Sequence, residues 1–302
     1  MRYGVRVALL AAVLVMGGCS DDEPPEPPAA IVSETPDPAY DGSLEPSAAV
    51  LALVPETAQT LTVTDFDQVK LELGLPDVAS GSDPAEVQEL WDRAVAERPL
   101  LTPGMLRTVD ERLQKTYGFS QVDVMWEAHF FDGGDQEAGW VLAFREGADM
   151  QAVQRAVDDG VGPLAGATVD AARRLATSGT TSDPTRSWAT DEATTALVGL
   201  PANATYVARE CLPKEADADV DVDELEAWSV QFEGSLVTAR LGEGRRDLFT
   251  RMRLGAAEPE FAAAYDGGVA DPRTGRIGYV MAHPADAARL AMVKRLPFAA
   301  CA

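Results

Sequence analysis

Lysine, asparagine and histidine are almost missing from this chain. Lysine stands only at Lys70, Lys115, Lys214 and Lys294, asparagine only at Asn203, and histidine only at His129 and His283. Two imidazoles leave little room for the general bases and nitrogen ligands that most enzymes rely on. The familiar catalytic signatures are absent as well. There is no Gly-x-Ser-x-Gly elbow, no Ser-x-x-Lys, no His-Glu-x-x-His and no Gly-Lys-Ser/Thr phosphate loop. Gly160, Gly162 and Gly166 do not have dinucleotide-binding spacing. Positive charge is scarce: 25 Lys and Arg face 49 Asp and Glu, a net charge of −24. Such a surface repels phosphate backbones and anionic headgroups, which excludes a nucleic-acid partner. The chain also lacks an apolar run near the roughly 20 residues that a spanning helix needs.

A shorter apolar run is present at the start. Val7 to Met16 is uninterrupted by charge, follows Arg2 and Arg6, and leads into Gly17-Gly18-Cys19. A basic region, a short apolar core and small residues before a cut site make a secretory signal. Met16-Gly17-Gly18-Cys19 resembles the lipobox of bacterial prolipoproteins, with Met16 where leucine is commonest. The resemblance implies cleavage after residue 18 and a diacylglycerol thioether on Cys19, a lipid anchor that replaces a membrane span. The arginine-rich, lysine-poor composition points to a GC-rich genome, so the chain as a whole resembles actinobacterial lipoproteins without an assigned role. Beyond residue 19 that resemblance is compositional and carries no active site. Loss of Arg2 and Arg6 with the signal leaves 23 basic against 49 acidic residues, a net charge of −26.

Residues 19–45 are acidic and proline-rich, with little to bury, and are expected to be an extended tether. The domain is expected over 46–302. Cys211 and Cys301 are an even pair outside the cytoplasm, which predicts one disulfide pinning the C-terminal tail.

Within the domain, Ser47–Val54 reads as a short helix, Thr60–Thr64 as a strand and Asp65–Leu73 as a helical turn or two. Asp83-Pro84-Ala85-Glu86 predicts a capped helix, with Val87, Leu90, Trp91, Ala94 and Val95 inward. A second helix is expected from Thr102 to Tyr117, stopped by Gly118. The pattern then predicts a hairpin of 121–131 and 139–145 around Asp132-Gly133-Gly134-Asp135, and a helix over 149–159. Residues 167–176 fit a strand or a helix, and 177–187 a surface loop. Strands are expected at 193–200 and 204–209, a hairpin at 228–232 and 235–241, and helices at 245–254 and 258–265. A strand over 276–282 and a helix over 284–295 complete the chain. The fold class is α+β, a mostly antiparallel sheet with packed helices. A proline-led approach to a strand, then a tryptophan-bearing hairpin, then a helix occurs twice, which suggests two similar halves, 46–200 and 201–302.

Candidate sites are few. Glu127 and His129 are two apart in a strand and so share a face, where a carboxylate–imidazole pair could make a base or a metal site. A hydrogen-bonded structural pair is the more ordinary outcome. His283 precedes Pro284 at a helix start, another structural position. Asp217, Asp219, Asp221 and Asp223 alternate with apolar residues but lack the glycine and terminal glutamate of a calcium loop, so no metal is expected. Trp91, Trp126, Trp140, Trp188 and Trp228 could stack a ligand such as a sugar, with Trp91 better suited to a core. No cofactor is implied. The expected role is a lipid-anchored envelope protein that binds an unknown envelope protein or small ligand, as a scaffold or accessory subunit without catalysis. A small-molecule or metal-binding receptor with a pocket between the halves is the alternative, and a hydrolase of unrecognised family using Glu127 and His129 is the third reading.

Overall fold

The structure, a computed structural model, describes residues 39–133, 136–213 and 221–302. The signal segment, Cys19, most of the tether, Asp135, Asp217 and Asp219 lie outside the described residues.

Pro46 opens α1 (Pro46–Ala49), which runs into a 3₁₀ turn over Val50–Ala52. The alternating threonines form β1 (Thr60–Asp65), and the Asp65 carboxylate caps α2 (Phe66–Glu72) by accepting the Gln68 N–H at 2.9 Å. In α3 (Pro84–Glu97) Asp83 accepts the Ala85 N–H and Pro84 sits in the first turn, where its missing donor costs nothing. Leu90, Trp91 and Ala94 are buried as their spacing requires, whereas Val95, expected inward, is half exposed. The helix expected over 102–117 begins as a 3₁₀ turn (Met105–Val109). It becomes α-helical only in α4 (Asp110–Tyr117), which ends at a left-handed Gly118. β2 (Val124–Phe131) and β3 (Glu137–Phe144) make the predicted hairpin. Asp149 caps α5 (Met150–Asp158). The ambiguous stretch 167–176 holds β4 (Thr168–Asp170), then a turn and the start of β5 (Leu175–Ser178).

Residues 193–200 are not a strand. Asp191 accepts the N–H groups of Ala193 and Thr194, which starts the short helix α6 (Glu192–Thr195), and turns follow. β6 (Ala204–Ala208), the hairpin of β7 (Trp228–Glu233) and β8 (Leu236–Arg240), α7 (Leu248–Ala257) and α8 (Pro259–Ala264) follow. The unanticipated β9 (Tyr265–Asp271) then precedes β10 (Arg276–Met281) and α9 (Pro284–Met292).

The described strands form one antiparallel sheet in the order β4-β5-β3-β2-β1-β6-β7-β8-β10-β9. Outward from the centre, the first half runs β1, β2, β3, β5, β4 and the second runs β6, β7, β8, β10, β9. The two halves therefore share one topology, joined through the antiparallel β1–β6 pair about Thr62 and Tyr206. One face of the sheet is covered by helices. α3, α4 and α5 bury a cluster with Trp140, Leu142 and Phe144, and α7, α8 and α9 bury another with Tyr206, Trp228 and Val230. The opposite face of the first half is roofed by Val50, Leu51, Val54 and Trp188, which pack with Leu61, Ala128, Phe130 and Val141.

The tail is fastened by covalent and polar contacts. Cys211 and Cys301 form the expected disulfide, Cα atoms 4.9 Å apart, spanning 90 residues. Beside it, the Leu212 N–H donates to Ala299 O and the Cys301 N–H to Leu212 O, each at 2.8 Å. Closing a loop of this length in the unfolded chain is worth about 2–5 kcal/mol. Paired Cys211→Ser and Cys301→Ser should therefore lower the urea midpoint by that amount divided by the m-value. An unchanged midpoint would show that the neighbouring bonds suffice.

Candidate functional site

Glu127 and His129 meet in the structure. The Glu127 carboxylate is fully buried, and His129 Nε2 lies 2.7 Å from its Oε1. The remaining partners come from distant segments. The Met105 N–H donates at 3.0 Å, Gln121 Nε2 donates at 3.1 Å, and the Thr102 hydroxyl also donates to the carboxylate. The Thr102 N–H in turn donates to Thr64 Oγ1 at 3.2 Å, and Gln121 Oε1 accepts the Leu106 N–H at 2.8 Å. Gly104 holds φ 93° where the chain crosses Gln121, and a Cβ there would come within 2.7 Å of the glutamine side chain. Glu127 thus clamps the 102–106 connection onto the sheet.

The other imidazole nitrogen, Nδ1, lies 2.8 Å from Glu137 Oε1 across the hairpin. A register shift between Phe130 and Phe131 places Glu137 opposite Phe131, and so diagonal to His129 on the same face. Burial acts to lower the His129 pKa, but the two carboxylate hydrogen bonds outweigh it together and push it up to about 9. Hydrogen bonding to His129 holds Glu137 below the usual carboxylate range. At neutral pH the imidazole is a cation with both N–H groups donated. It has no lone pair with which to take a proton or bind a metal.

All five tryptophans are buried, so none offers a face to a ligand in this conformation. His283 stands at the start of α9, as expected. Of the aspartate run, Asp223 lends its carbonyl oxygen to Arg245 and Arg251, and its N–H donates to Asp247 Oδ2 at 2.9 Å. No cluster of three or more metal-ligating side chains occurs among the described residues. At the boundary of the halves a cleft lined by Glu45, Ser47, Asp65, Leu200 and Thr205 among others opens beside the β1–β6 pair, with a free volume of about 10 Å³. That is far below the roughly 300 Å³ at which small-molecule pockets begin. Burial pushes the Asp65 carboxyl there up to about 7.

Comparison with protein-family models, with curated proteins and with solved structures finds no match. The chemistry of this chain therefore has to be read from its own residues.

Two sites escaped the sequence. One is an internal lock in which the fully buried Arg251 makes four hydrogen bonds. Its Nε donates to Asp247 Oδ2 at 2.6 Å, Nη1 to Phe298 O and Ala300 O at 2.9 and 2.7 Å, and Nη2 to Asp223 O at 2.6 Å. Burial acts to raise the Asp247 pKa, yet hydrogen bonds from Arg245 and Arg251 hold it down at about 2. The i, i+4 spacing of Asp247 and Arg251 was a legible signal; the tail carbonyls were not. The other is the outer sheet face of the second half. Arg240 and Gln231 are buried there, yet Arg240 Nε and Nη2 and both amide atoms of Gln231 have no hydrogen-bond partner among the described residues.

Proposed function

We propose that this chain is a lipid-anchored, extracytoplasmic protein of the cell envelope that binds a protein partner, acting as a scaffold or accessory subunit without chemistry of its own. The observation that carries this reading is where interaction capacity has been spent. Glu127 and His129 are consumed by internal hydrogen bonds, whereas the outer face of β8, β10 and β9 exposes the apolar side chains of Leu236, Val280 and Val269. A disulfide suits an oxidising compartment outside the cytoplasm. No helix among the described residues is long and apolar enough to cross a membrane, which leaves Cys19 to supply the anchor.

The anchor is tested by Cys19→Ser. Labelled palmitate should no longer enter the protein, and the chain should accumulate with its signal uncleaved. If the variant matures to normal size and stays with the membrane, the lipid reading is wrong. The binding reading is tested by photo-crosslinking across the exposed surface in cells, where a recurring protein adduct is expected. A surface that yields no protein adduct at any position would contradict it.

A further inference from the structure

Register gives outward positions of the second half a counterpart in the first. Val141 lies between Ala128 and Thr177; in the second half Arg240 lies between Ser229 and Arg276. Phe130 lies between Leu61 and Gly139; Gln231 lies between Thr205 and Thr238. Thr205 thus stands where the first half has Leu61, which is sealed under the apolar roof. Thr205 instead lines the cleft between the halves. It is 2% exposed, and its hydroxyl has no hydrogen-bond partner among the described residues. Three segments meet around it. Glu45 and Ser47 come from the start of α1, and Asp65 from the end of β1, two residues beyond the Val63 that pairs with Thr205 and so on the same face. Ser47 Oγ accepts the Gly199 N–H at 3.4 Å, and the Asp65 N–H donates to Asn203 O at 2.8 Å, which holds the three segments together.

The charge at this point is one-sided. Neither Glu45 nor Asp65 has an ion-pair partner among the described residues. The charged groups that act on Asp65 are Asp67 and Glu45, both acidic, and Asp67 is itself paired with Lys70. A water in the cleft would solvate the carboxylates without offsetting their repulsion; a cation does both. The free volume of about 10 Å³ admits one water-sized body, which excludes an organic ligand. We propose that the cleft is a calcium site. Its ligands are the Glu45 and Asp65 carboxylates and the Ser47 and Thr205 hydroxyls, with water completing the roughly six to eight oxygens that Ca²⁺ takes. Ligands drawn from three segments suit the irregular shell of Ca²⁺ better than the near-ideal octahedron that Mg²⁺ demands. Clusters of three or more His, Cys, Asp or Glu ligands do not occur among the described residues. Two acids with two neutral hydroxyls make a weaker site, in the range of about 10⁻⁴–10⁻³ M found in extracellular modules. The ion ties the start of the domain to β1 of the first half and β6 of the second.

This inference stands apart from the partner-binding reading and does not depend on it. The test uses the full chain in mild detergent, stripped of metal with a chelator, at neutral pH and about 0.15 M KCl so that diffuse attraction is screened. Equilibrium dialysis with radiolabelled calcium should show one ion per chain, with a dissociation constant of about 10⁻⁴–10⁻³ M. Calcium at about ten times that constant should raise the melting temperature by about 2–4 °C. Asp65→Asn should weaken binding about tenfold or more, while its side-chain oxygen still accepts the Gln68 N–H and caps α2. Thr205→Val, nearly isosteric, removes the hydroxyl alone and should weaken binding severalfold. Asp266→Asn, an exposed acid on the edge strand β9, should leave binding unchanged. An absence of saturable binding overturns the inference, as does binding that Asp65→Asn leaves intact. Equal weakening by Asp65→Asn and Asp266→Asn also overturns it, because the acidic surface as a whole would then be the attraction. Should Asp65→Asn fail to fold, Thr205→Val decides, and binding equal to the parent's overturns the site.

Discussion

Arg251→Met should be the most damaging single substitution in the second half, lowering stability by about 3–5 kcal/mol. The arginine is completely buried, and its removal takes the guanidinium donors from the Phe298 and Ala300 carbonyls and leaves Asp247 and the Asp223 carbonyl with Arg245 as their one cationic donor. Methionine matches the volume but donates nothing. Lysine should rescue little, since one ammonium cannot reach four acceptors spread around a planar fork. The disulfide still ties Cys301 to Cys211, so the tail should loosen rather than detach. Urea unfolding would show the loss as a lower midpoint, and hydrogen exchange would show earlier opening of the Leu212 and Cys301 amides. A cost below about 1 kcal/mol, with those amides still protected, would mean that disulfide and packing hold the tail without the guanidinium.

The second large effect is one of pH. The His129 pKa is raised to about 9 in the folded chain, against 6.5 for an unperturbed imidazole. The folded state therefore binds this proton more tightly. The resulting stability is fully present below pH 6.5 and is lost as pH rises through about 9, an effect on the order of 3 kcal/mol. For a domain of this size that corresponds to a melting temperature about 5–10 °C lower at pH 10 than at pH 6.5 from this group. His129→Gln can still donate one hydrogen bond to Glu127 but carries no titrating charge. It should be less stable than the parent at pH 6.5 and should not share the alkaline decline. Melting curves of both proteins across pH 6–10 measure the difference. Parallel curves would show that the proton on His129 contributes nothing to folding.

Much of the architecture was legible because local signals agreed with one another. Asp83-Pro84 and the stripe of Leu90, Trp91 and Ala94 specify α3 without help from elsewhere. The alternation around the 132–135 turn specifies the β2–β3 hairpin. The pairing of Cys211 with Cys301 followed from there being no other partner once Cys19 was assigned to lipid. The misses have physical causes. Residues 193–200 contain threonines and an apolar Leu-Val pair that suit a strand, but the Asp191 cap offers their first N–H groups helical partners. β9 carries Gly267 and Gly268 and has little strand propensity of its own; pairing with β10 makes it a strand. The doubled order of elements was visible in the sequence. The exchange of Phe130 for Gln231 and Val141 for Arg240 was not, because it depends on register.

The same limit applies to the site. That Glu127 and His129 share a face follows from strand periodicity alone. That Thr102, Met105, Gln121 and Glu137 fill every remaining hydrogen-bonding position depends on a loop crossing and a register shift, which no local pattern announces. The carboxylates of Glu127 and Glu137, one on each ring nitrogen, hold His129 as a cation.

The most direct test of a non-catalytic binding protein is native mass spectrometry of the full chain released from membranes in mild detergent. Parent and Cys19→Ser would be compared. The parent should carry a Cys19-linked lipid and one stoichiometric protein partner, and Cys19→Ser should lose the lipid. A chain that carries only a small molecule or metal ion, or no protein partner, would contradict the account.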